Sequence, residues 1–263
     1  MGLYTIMAWH PEDFAVAAAV NNREILAANL MRSPDIASGR LTLKTYEGYS
    51  QAGAALNAGL DGCTAPIVIF AHQDVYLPGP WLSQLIAQIE RIEAKHPNWV
   101  VLGLFGLSVQ GEMVGHVWST GLGRLVGQGG FEPAEAENMD ELVLVLRRAS
   151  GVRFDDKIPG FHMYATDIVT QGRDRGMPSF IVDAPAVHNS TPTRKLTGAY
   201  AKAYRYMQRK WRHRLPIRNI NSDIVWHPVT LWRAQFAILR LYRRNKRREP
   251  RDAAETAREL GLE

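Results

Sequence analysis

Short apolar runs alternate with segments of helical spacing along the first part of the chain. The apolar or alternating runs predict strands at residues 14–20, 41–45, 66–70 and 99–105. Segments of helical composition or spacing predict helices at residues 24–31, 52–60 and 81–92. This alternation predicts an α/β domain with a mostly parallel central sheet flanked by helices, and such sheets bind ligands beyond the carboxyl ends of their strands.

The pattern changes after residue 105. Residues 115–138 are rich in glycine and predict a long loop, while residues 141–148 are apolar and fit either a strand or a helix. A short helix at 167–175, a strand at 179–182 and two helices at 197–213 and 229–244 follow. We therefore predict a first domain at residues 1–193 and a helical C-terminal extension at residues 194–263.

The formal net charge of +5 is distributed unevenly. Residues 1–193 carry 13 basic and 20 acidic side chains, whereas residues 194–251 carry 17 basic and 2 acidic ones. A basic segment that contains an amphipathic helix fits an anionic membrane surface, and it fits equally a solvated helix whose apolar face packs on the body. No nucleic-acid motif accompanies the basic residues, so a specific nucleic-acid partner is not expected.

The compartment follows from what the sequence lacks. A single cysteine, Cys63, forms no internal disulfide, and the longest apolar run, 99–109, is about half of what a membrane-spanning helix requires. The N-terminal segment has no basic residue before Arg23 and carries Glu12 and Asp13, unlike a signal peptide. We expect a cytoplasmic protein, in peripheral contact with the inner face of the membrane if the basic segment docks there.

Three segments contain residues that can carry chemistry. His72, Gln73 and Asp74 follow an apolar strand, where Asp74 either holds a divalent cation or caps the turn. His162 and Asp167 lie near a helix start, where either can act as a general base and where Asp167 can instead be an N-cap. His188 follows a strand and is either a metal ligand or an ordinary histidine.

Together these segments resemble a known family. Residues 70–78 (Phe-Ala-His-Gln-Asp-Val-Tyr-Leu-Pro), residues 159–164 (Pro-Gly-Phe-His-Met-Tyr), the helix at 167–176 and the pair Val187-His188 occur in the order found in family 2-like glycosyltransferases of the GT-A fold. The resemblance is to the bacterial branch that has His-Gln-Asp-Val and Gly-Phe-His-x-Tyr segments. It covers residues 14–190 and implies the GT-A fold, with the basic helices as an extension.

The resemblance also implies roles for particular residues. Asp74 stands in the metal position of a variant Asp-x-Asp motif, His72 replaces the first carboxylate, and His188 completes the metal and diphosphate site. Further nucleotide-sugar contacts are implied for Val20, Asn21 and Glu47, while Asp140 and Glu141 lie on the acceptor side.

The implied activity is transfer of a sugar from a nucleotide-sugar donor to a saccharide or lipid-linked acceptor, with inversion and with Mn²⁺ or Mg²⁺ as cofactor. Surface polysaccharide or glycolipid synthesis is the implied setting. Ala165 stands where the family often has its catalytic base, so Asp167, or His162, is expected to take this role. The alternative is a non-catalytic protein that retains the fold and binds a nucleotide sugar or a carbohydrate.

Overall fold

The computed structural model describes residues 8–190, 198–227, 229–244 and 249–263, and it describes residues 241–244 by their backbone alone. The β-strands in these ranges are β1 (Phe14–Val20), β2 (Thr42–Glu47), β3 (Ile67–Ala71), β4 (Val75–Tyr76), β5 (Val101–Gly103), β6 (Phe105–Ser108), β7 (Met113–Ser119), β8 (Arg124–Gly127), β9 (Ala134–Met139), β10 (Val143–Arg147), β11 (Phe180–Ile181) and β12 (Ala186–His188). The α-helices are α1 (Arg23–Ala28), α2 (Pro34–Ala37), α3 (Ala52–Asp61), α4 (Trp81–Glu93), α5 (Tyr164–Asp174), α6 (Gly198–Lys210), α7 (Val229–Arg244) and α8 (Ala253–Glu259).

Strands β1, β2 and β3 form a parallel unit with β1 in the middle. Strands β1 and β3 are almost wholly apolar and buried, which suits strands that are covered on both faces, whereas β2 at the edge carries polar side chains. Parallel neighbours need crossover connections, and α1, α2 and α3 supply them. The carboxyl ends of the three strands therefore meet at one edge of the sheet.

The sheet as a whole is mixed, and the prediction of a mostly parallel sheet is wrong. Parallel pairing joins β1 to β2, β1 to β3, β5 to β11 and β7 to β12. The other strand pairs in the described ranges are antiparallel. The main cause is β10, which comes from the segment that the sequence left ambiguous and inserts antiparallel between β3 and β5.

The glycine-rich segment forms strands, so the predicted long loop is also wrong. Strands β7 and β8 make an antiparallel hairpin whose turn contains Gly123 at a φ of 62°. A side chain on Gly127 would overlap the backbone of Gly115 in the neighbouring strand. These glycines therefore permit a tight turn and a close approach of two strands. The predicted strand at 99–105 divides into β5 and β6, which pair with different neighbours.

Helices cover both faces of the first strands. Trp81, Leu85 and Ile89 of α4 pack in one core cluster with the β3 residues Ile67 and Ile69. The opposite face of β3 packs in a second cluster, which includes residues of α3 and α5. Alternate residues of one strand thus enter two separate cores, which explains the continuous apolar pattern. The structure confirms the predicted amphipathic helix at 81–92 as α4.

Parts of the C-terminal extension pack on the body. Helix α6 buries Tyr204 and Met207 against Ile158 and other apolar residues, and α8 packs beside Tyr76. Asp252, the N-cap of α8, pairs with Arg32 at 2.6 Å. The predicted boundary at residue 193 lies outside the described residues and stays a prediction. None of the helices in the described ranges is long and apolar enough to cross a membrane.

Candidate functional site

A cavity of about 710 Å³ opens at the edge where β1, β2 and β3 end. Val20 and the polar residues Asn21, Glu47, His72, Gln73 and Asp74 line it at the strand ends. Its apolar wall includes Tyr46, Tyr49, Leu56, Phe70, Phe161 and Tyr164. A cavity of this size, with aromatic surfaces and a few converging polar groups, suits a ligand as large as a nucleotide.

Gln73 connects two of the loops that form the cavity. Its Oε1 accepts hydrogen bonds from the backbone N–H groups of Asn21 and Asn22, both at 3.0 Å, and its Nε2 donates to Asn21 Oδ1 at 2.6 Å. Asn22 in turn caps α1 by accepting from the N–H groups of Glu24 and Ile25. The ends of β1 and β3 are therefore held together before any ligand binds. The predicted contact residue Glu47 pairs with Arg23 at 2.9 Å on the same wall.

His72, Asp74 and His188 form a cluster beside this cavity. One potential ligand atom from each residue lies within 4.8 Å of the others. His188 Nε2 lies 3.5 Å from Asp74 Oδ1, and His72 Nδ1 lies 4.0 Å from the same oxygen. The fold brings them together because β12 pairs with β4, which places the end of β12 beside the loop that follows β3. The Asn189 N–H also donates to the Asp74 carbonyl at 2.8 Å.

Tyr164 determines which nitrogen of His72 is free. The Tyr164 hydroxyl donates to the Glu141 carbonyl at 3.1 Å, so its oxygen accepts from His72 Nε2 at 2.8 Å. This network assigns the proton of His72 to Nε2 and leaves the lone pair of Nδ1 directed toward the cluster. A hydrogen-bonded partner of this kind fixes the tautomer and orientation of a histidine that binds a metal.

The protonation states also suit a metal site. Burial acts to raise the pKa of Asp74, but the hydrogen bond and charge of His188 outweigh it and lower the pKa to about 2. Burial lowers the pKa of His72. For His188, burial acts to lower the pKa, but Asp74 outweighs this and raises it. At neutral pH, Asp74 is therefore a carboxylate and His72 a neutral imidazole, as metal ligands must be, whereas the raised pKa of His188 means that a cation would compete with a proton there.

Glu141 lies between the large cavity and a second, smaller one. It lines both, and the second cavity has a volume of about 110 Å³. The wall of the second cavity also includes Asn138, Asp140, His162, Thr166, Tyr200, Asn219, Asn221 and Ile238. The predicted acceptor-side pair is thus divided, because Asp140 faces the small cavity alone while Glu141 faces both.

The Glu141 carboxyl lies near the first N–H groups of α5. Burial raises its pKa to about 8, Asp140 acts in the same direction, and the backbone N–H groups at Met163, Tyr164 and Ala165 oppose them. Met163, the N-cap of α5, has a φ of 66°, which is unusual for a residue other than glycine. The start of α5 therefore places its free N–H groups beside a carboxyl group from another segment.

Asp167 has a different environment. Helix α5 begins at Tyr164 and not at the predicted 167, so Asp167 lies in its first turn and is not its N-cap. Its side chain is 1% exposed, and its oxygens accept from Trp211 Nε1 at 2.7 Å, Lys210 Nζ at 2.9 Å and Gln171 Nε2 at 2.8 Å. The prediction that Asp167 is the catalytic base disagrees with this placement, because the carboxylate lines neither cavity and is fully occupied by these donors.

The other predicted base and the missed residues complete the site. His162 lies on the second cavity, its ring centroid 5.4 Å from that of Tyr200, and burial lowers its pKa. Gln73 and Tyr164 are two residues of the site whose roles the sequence does not reveal. Both stand inside the motifs that were recognised, but only the fold shows which partners their side chains meet.

The fold and the site define an α/β protein with a nucleotide-sized cavity beside a His–Asp–His cluster. No protein-family model matches the chain. A curated relative from Fuscovulum blasticum, described as ATP synthase subunits region ORF 6, is 29% identical over 133 residues. The match covers 47% of this chain and 51% of the relative, so it spans about half of that protein's length.

Among solved structures, the chain is similar to the mannosyltransferase PcManGT from Pyrobaculum calidifontis in complex with GDP-Man and Mn²⁺. The identity is 13% and the TM-score 0.44, and the match covers 78% of this chain and 64% of that one. GalNAc-T7 with UDP, GalNAc and Mn²⁺ gives 13% identity, a TM-score of 0.45 and coverage of 79% and 52%. TarS 1–349 of S. aureus in complex with UDP-GlcNAc gives 15% identity and a TM-score of 0.42, and the match covers 75% of this chain and 66% of that one. The likeness is one of α/β fold, and at these TM-scores nothing about activity follows from it.

Proposed function

We propose that this protein is a glycosyltransferase that moves a sugar from a nucleotide-sugar donor to an acceptor hydroxyl, with inversion at the anomeric carbon. The observation that carries the proposal is the cluster of His72, Asp74 and His188 beside a nucleotide-sized cavity at the carboxyl edge of parallel strands. Cavities at this edge of α/β sheets are the usual ligand sites.

In this proposal the donor occupies the large cavity. Val20, Asn21 and Glu47 contact its base and ribose, with the aromatic rings of Tyr46 and Tyr49 on the same wall. The diphosphate then lies toward His72 and Asp74, at the end of β3. Because Gln73 already joins the loops on either side, the residues that contact the donor need little rearrangement.

The cluster fits a divalent cation. His72, Asp74 and His188 would hold such a cation, and it would supply charge neutralisation for the departing nucleoside diphosphate. Two imidazole nitrogens and one carboxylate oxygen favour Mn²⁺ or a neighbouring transition ion over Mg²⁺, which prefers oxygen ligands. Tyr164 keeps the Nδ1 lone pair of His72 available for this binding.

We assign the general base to Glu141. It lies where the large cavity meets the small polar one, in which an acceptor hydroxyl can bind among Asp140, His162 and Asn219. Glu141 accepts the hydroxyl proton while the acceptor oxygen bonds to the anomeric carbon and the bond from that carbon to the diphosphate oxygen breaks. Its pKa of about 8 is close to the working range of a base at neutral pH. The acceptor is a saccharide or a lipid-linked saccharide.

The decisive experiment measures nucleoside diphosphate released from a panel of nucleotide sugars, with Mn²⁺ or Mg²⁺ and with candidate acceptors. We expect release that requires the metal and that is lost in Asp74→Asn. Asp183→Asn is the matched control, since Asp183 also pairs with a histidine, His116 at 2.7 Å, but lines neither cavity.

Other outcomes would change the proposal in defined ways. Nucleotide-sugar binding without any transfer or hydrolysis would favour a non-catalytic binding protein that retains the fold. If no nucleotide raised the melting temperature and Asp74→Asn behaved like Asp183→Asn, the transferase proposal would have to be abandoned.

A further inference from the structure

The outer face of helix α7 exposes large apolar side chains. Trp232 is 68% exposed and Phe236 is 71% exposed, and Trp226, just before the helix, is 69% exposed. Val229, Trp232 and Phe236 lie within about 60° of arc around the helix axis, so they form one stripe. Apolar residues scattered singly on a surface are ordinary, whereas a contiguous aromatic stripe indicates an interaction site.

The inner face of α7 already has its partners. Ala234 is buried, Leu231 packs against the core cluster that contains α6, and Ile238 lines the small cavity. The helix is therefore seated on the body through one face. The stripe on its other face has no packing role in the part of the chain that the structure describes.

Basic side chains border the stripe on both sides. Arg233 and Arg240 are exposed on α7 itself, next to the stripe around the helix. On the other side, Arg205 of α6 lines a groove of about 290 Å³ together with Trp232 and Phe236. Lys202 and Arg209 are exposed on α6 at the spacing that places them on one face with Arg205. The sequences of α6 and α7 contain no acidic residue.

We propose that this surface, formed by α7 and the exposed basic face of α6, docks on an anionic lipid bilayer. An apolar stripe with cationic borders, on a helix that lies along the protein surface, is the arrangement of interfacial helices. Tryptophan favours the headgroup region of a membrane, and arginine and lysine favour its negative surface potential. The inference is independent of the proposed transferase activity, because none of these residues except Ile238 borders either proposed substrate cavity.

The test uses the full chain and flotation with vesicles of phosphatidylglycerol and phosphatidylcholine, compared with vesicles of phosphatidylcholine alone. We expect binding to the anionic vesicles. The double variant Trp232→Ser/Phe236→Ser should bind the anionic vesicles at least about tenfold more weakly, because two aromatic side chains are no longer transferred from water into the bilayer interface. The matched control is Met113→Ser, which changes an exposed apolar residue on β7.

A second pair of variants tests the charges. Arg205→Glu/Arg233→Glu should lose the preference for anionic vesicles, whereas Arg124→Glu, at an exposed position on β8, should retain it. Circular dichroism verifies that each variant is folded. The proposal is overturned if the protein does not bind anionic vesicles, or if the aromatic double variant binds them like Met113→Ser. It is also overturned if a single-stranded oligonucleotide binds this surface and the vesicles do not, because aromatic and basic side chains also bind nucleic acid.

Discussion

The buried carboxylate of Asp167 allows a sharp prediction about stability. Lys210, Trp211 and Gln171 all donate to it, and Lys210 also pairs with Asp155 at 2.6 Å. In Asp167→Ala the Trp211 N–H loses its acceptor and a polar cavity remains between α5 and the end of α6, while Lys210 keeps Asp155 and Gln171 keeps the Arg153 carbonyl as partners. Removing one partner of a buried ion pair costs about 3–5 kcal/mol, so we expect the free energy of unfolding to fall by that amount.

Asp167→Asn should be much milder. The amide oxygen can still accept from Trp211, the volume is unchanged, and Lys210 keeps Asp155 as a partner. Burial raises the pKa of Asp167 even though Lys210, Trp211 and Gln171 act to lower it, which indicates that its charge is costly to bury. We therefore expect a loss of about 1–3 kcal/mol, the cost of imperfect hydrogen bonding.

Urea unfolding followed by circular dichroism measures both variants, with the slope of the transition expected to remain unchanged. A loss below about 1 kcal/mol for Asp167→Ala would refute the structural role assigned to Asp167, because removing a buried carboxylate that accepts three hydrogen bonds should destabilise the fold by more than that. Asp167→Asn should retain nucleoside diphosphate release. A folded Asp167→Asn protein without that activity would instead restore Asp167 as the candidate base.

Three further predictions concern the site and the packing around it. Glu141→Gln should lower kcat by about 10²–10⁴-fold and leave donor binding intact. In the wild-type protein kcat/KM should rise with pH toward about 8, where the carboxyl loses its proton, and this rise should be absent from the pH profile of the variant. Tyr164→Phe should weaken Mn²⁺ binding by about 10–100-fold in calorimetric titration, because His72 loses the partner that fixes its tautomer. Gly53→Ala should lower stability by about 1–3 kcal/mol in urea unfolding, since the added methyl group would overlap the Asp155 carbonyl.

The strands and helices with simple periodicity could be predicted from the sequence. Residues 14–20 form β1 as predicted, and the predicted helix at 81–92 differs from α4 by one residue at its end. Both segments are long and buried, so a single pattern of side chains dominates their structure. Helix α5 begins three residues before its predicted start, because Met163 adopts a left-handed conformation and serves as N-cap without a capping side chain.

The antiparallel strands could not be predicted in the same way. The pairing of β7 with β8 depends on close backbone approach at Gly115 and Gly127, and a glycine-rich sequence fits a loop equally well. The apolar sequence of β10 fits a strand or a helix, and its insertion between β3 and β5 depends on the topology of the whole sheet and not on local sequence. These are contacts between distant segments, which periodicity does not report.

Some residues of the candidate site could likewise be predicted from the sequence, and others could not. His72 and Asp74 could be selected because they follow a predicted strand, and His188 because it follows a later one, whereas Glu47 is implied only by the family resemblance. The placement of Glu141 at the start of α5 joins residues from different segments of the chain, so its proposed role as a base could be inferred only from the fold. Conversely, Asp167 has the right residue type and position in the sequence but lies in an environment that only the fold determines.

Within the described residues, the C-terminal segment lines one of the two cavities and not the other. The large cavity is formed mainly by residues 19–74, whereas Tyr200, Asn219 and Ile238 bring the C-terminal segment into the wall of the small one. If the large cavity holds the donor and the small one the acceptor, the C-terminal segment contributes to the choice of acceptor and not to the choice of donor. Under the proposed function, changes at Tyr200, Asn219 or Ile238 would therefore alter the acceptor while the nucleotide-sugar donor stays the same.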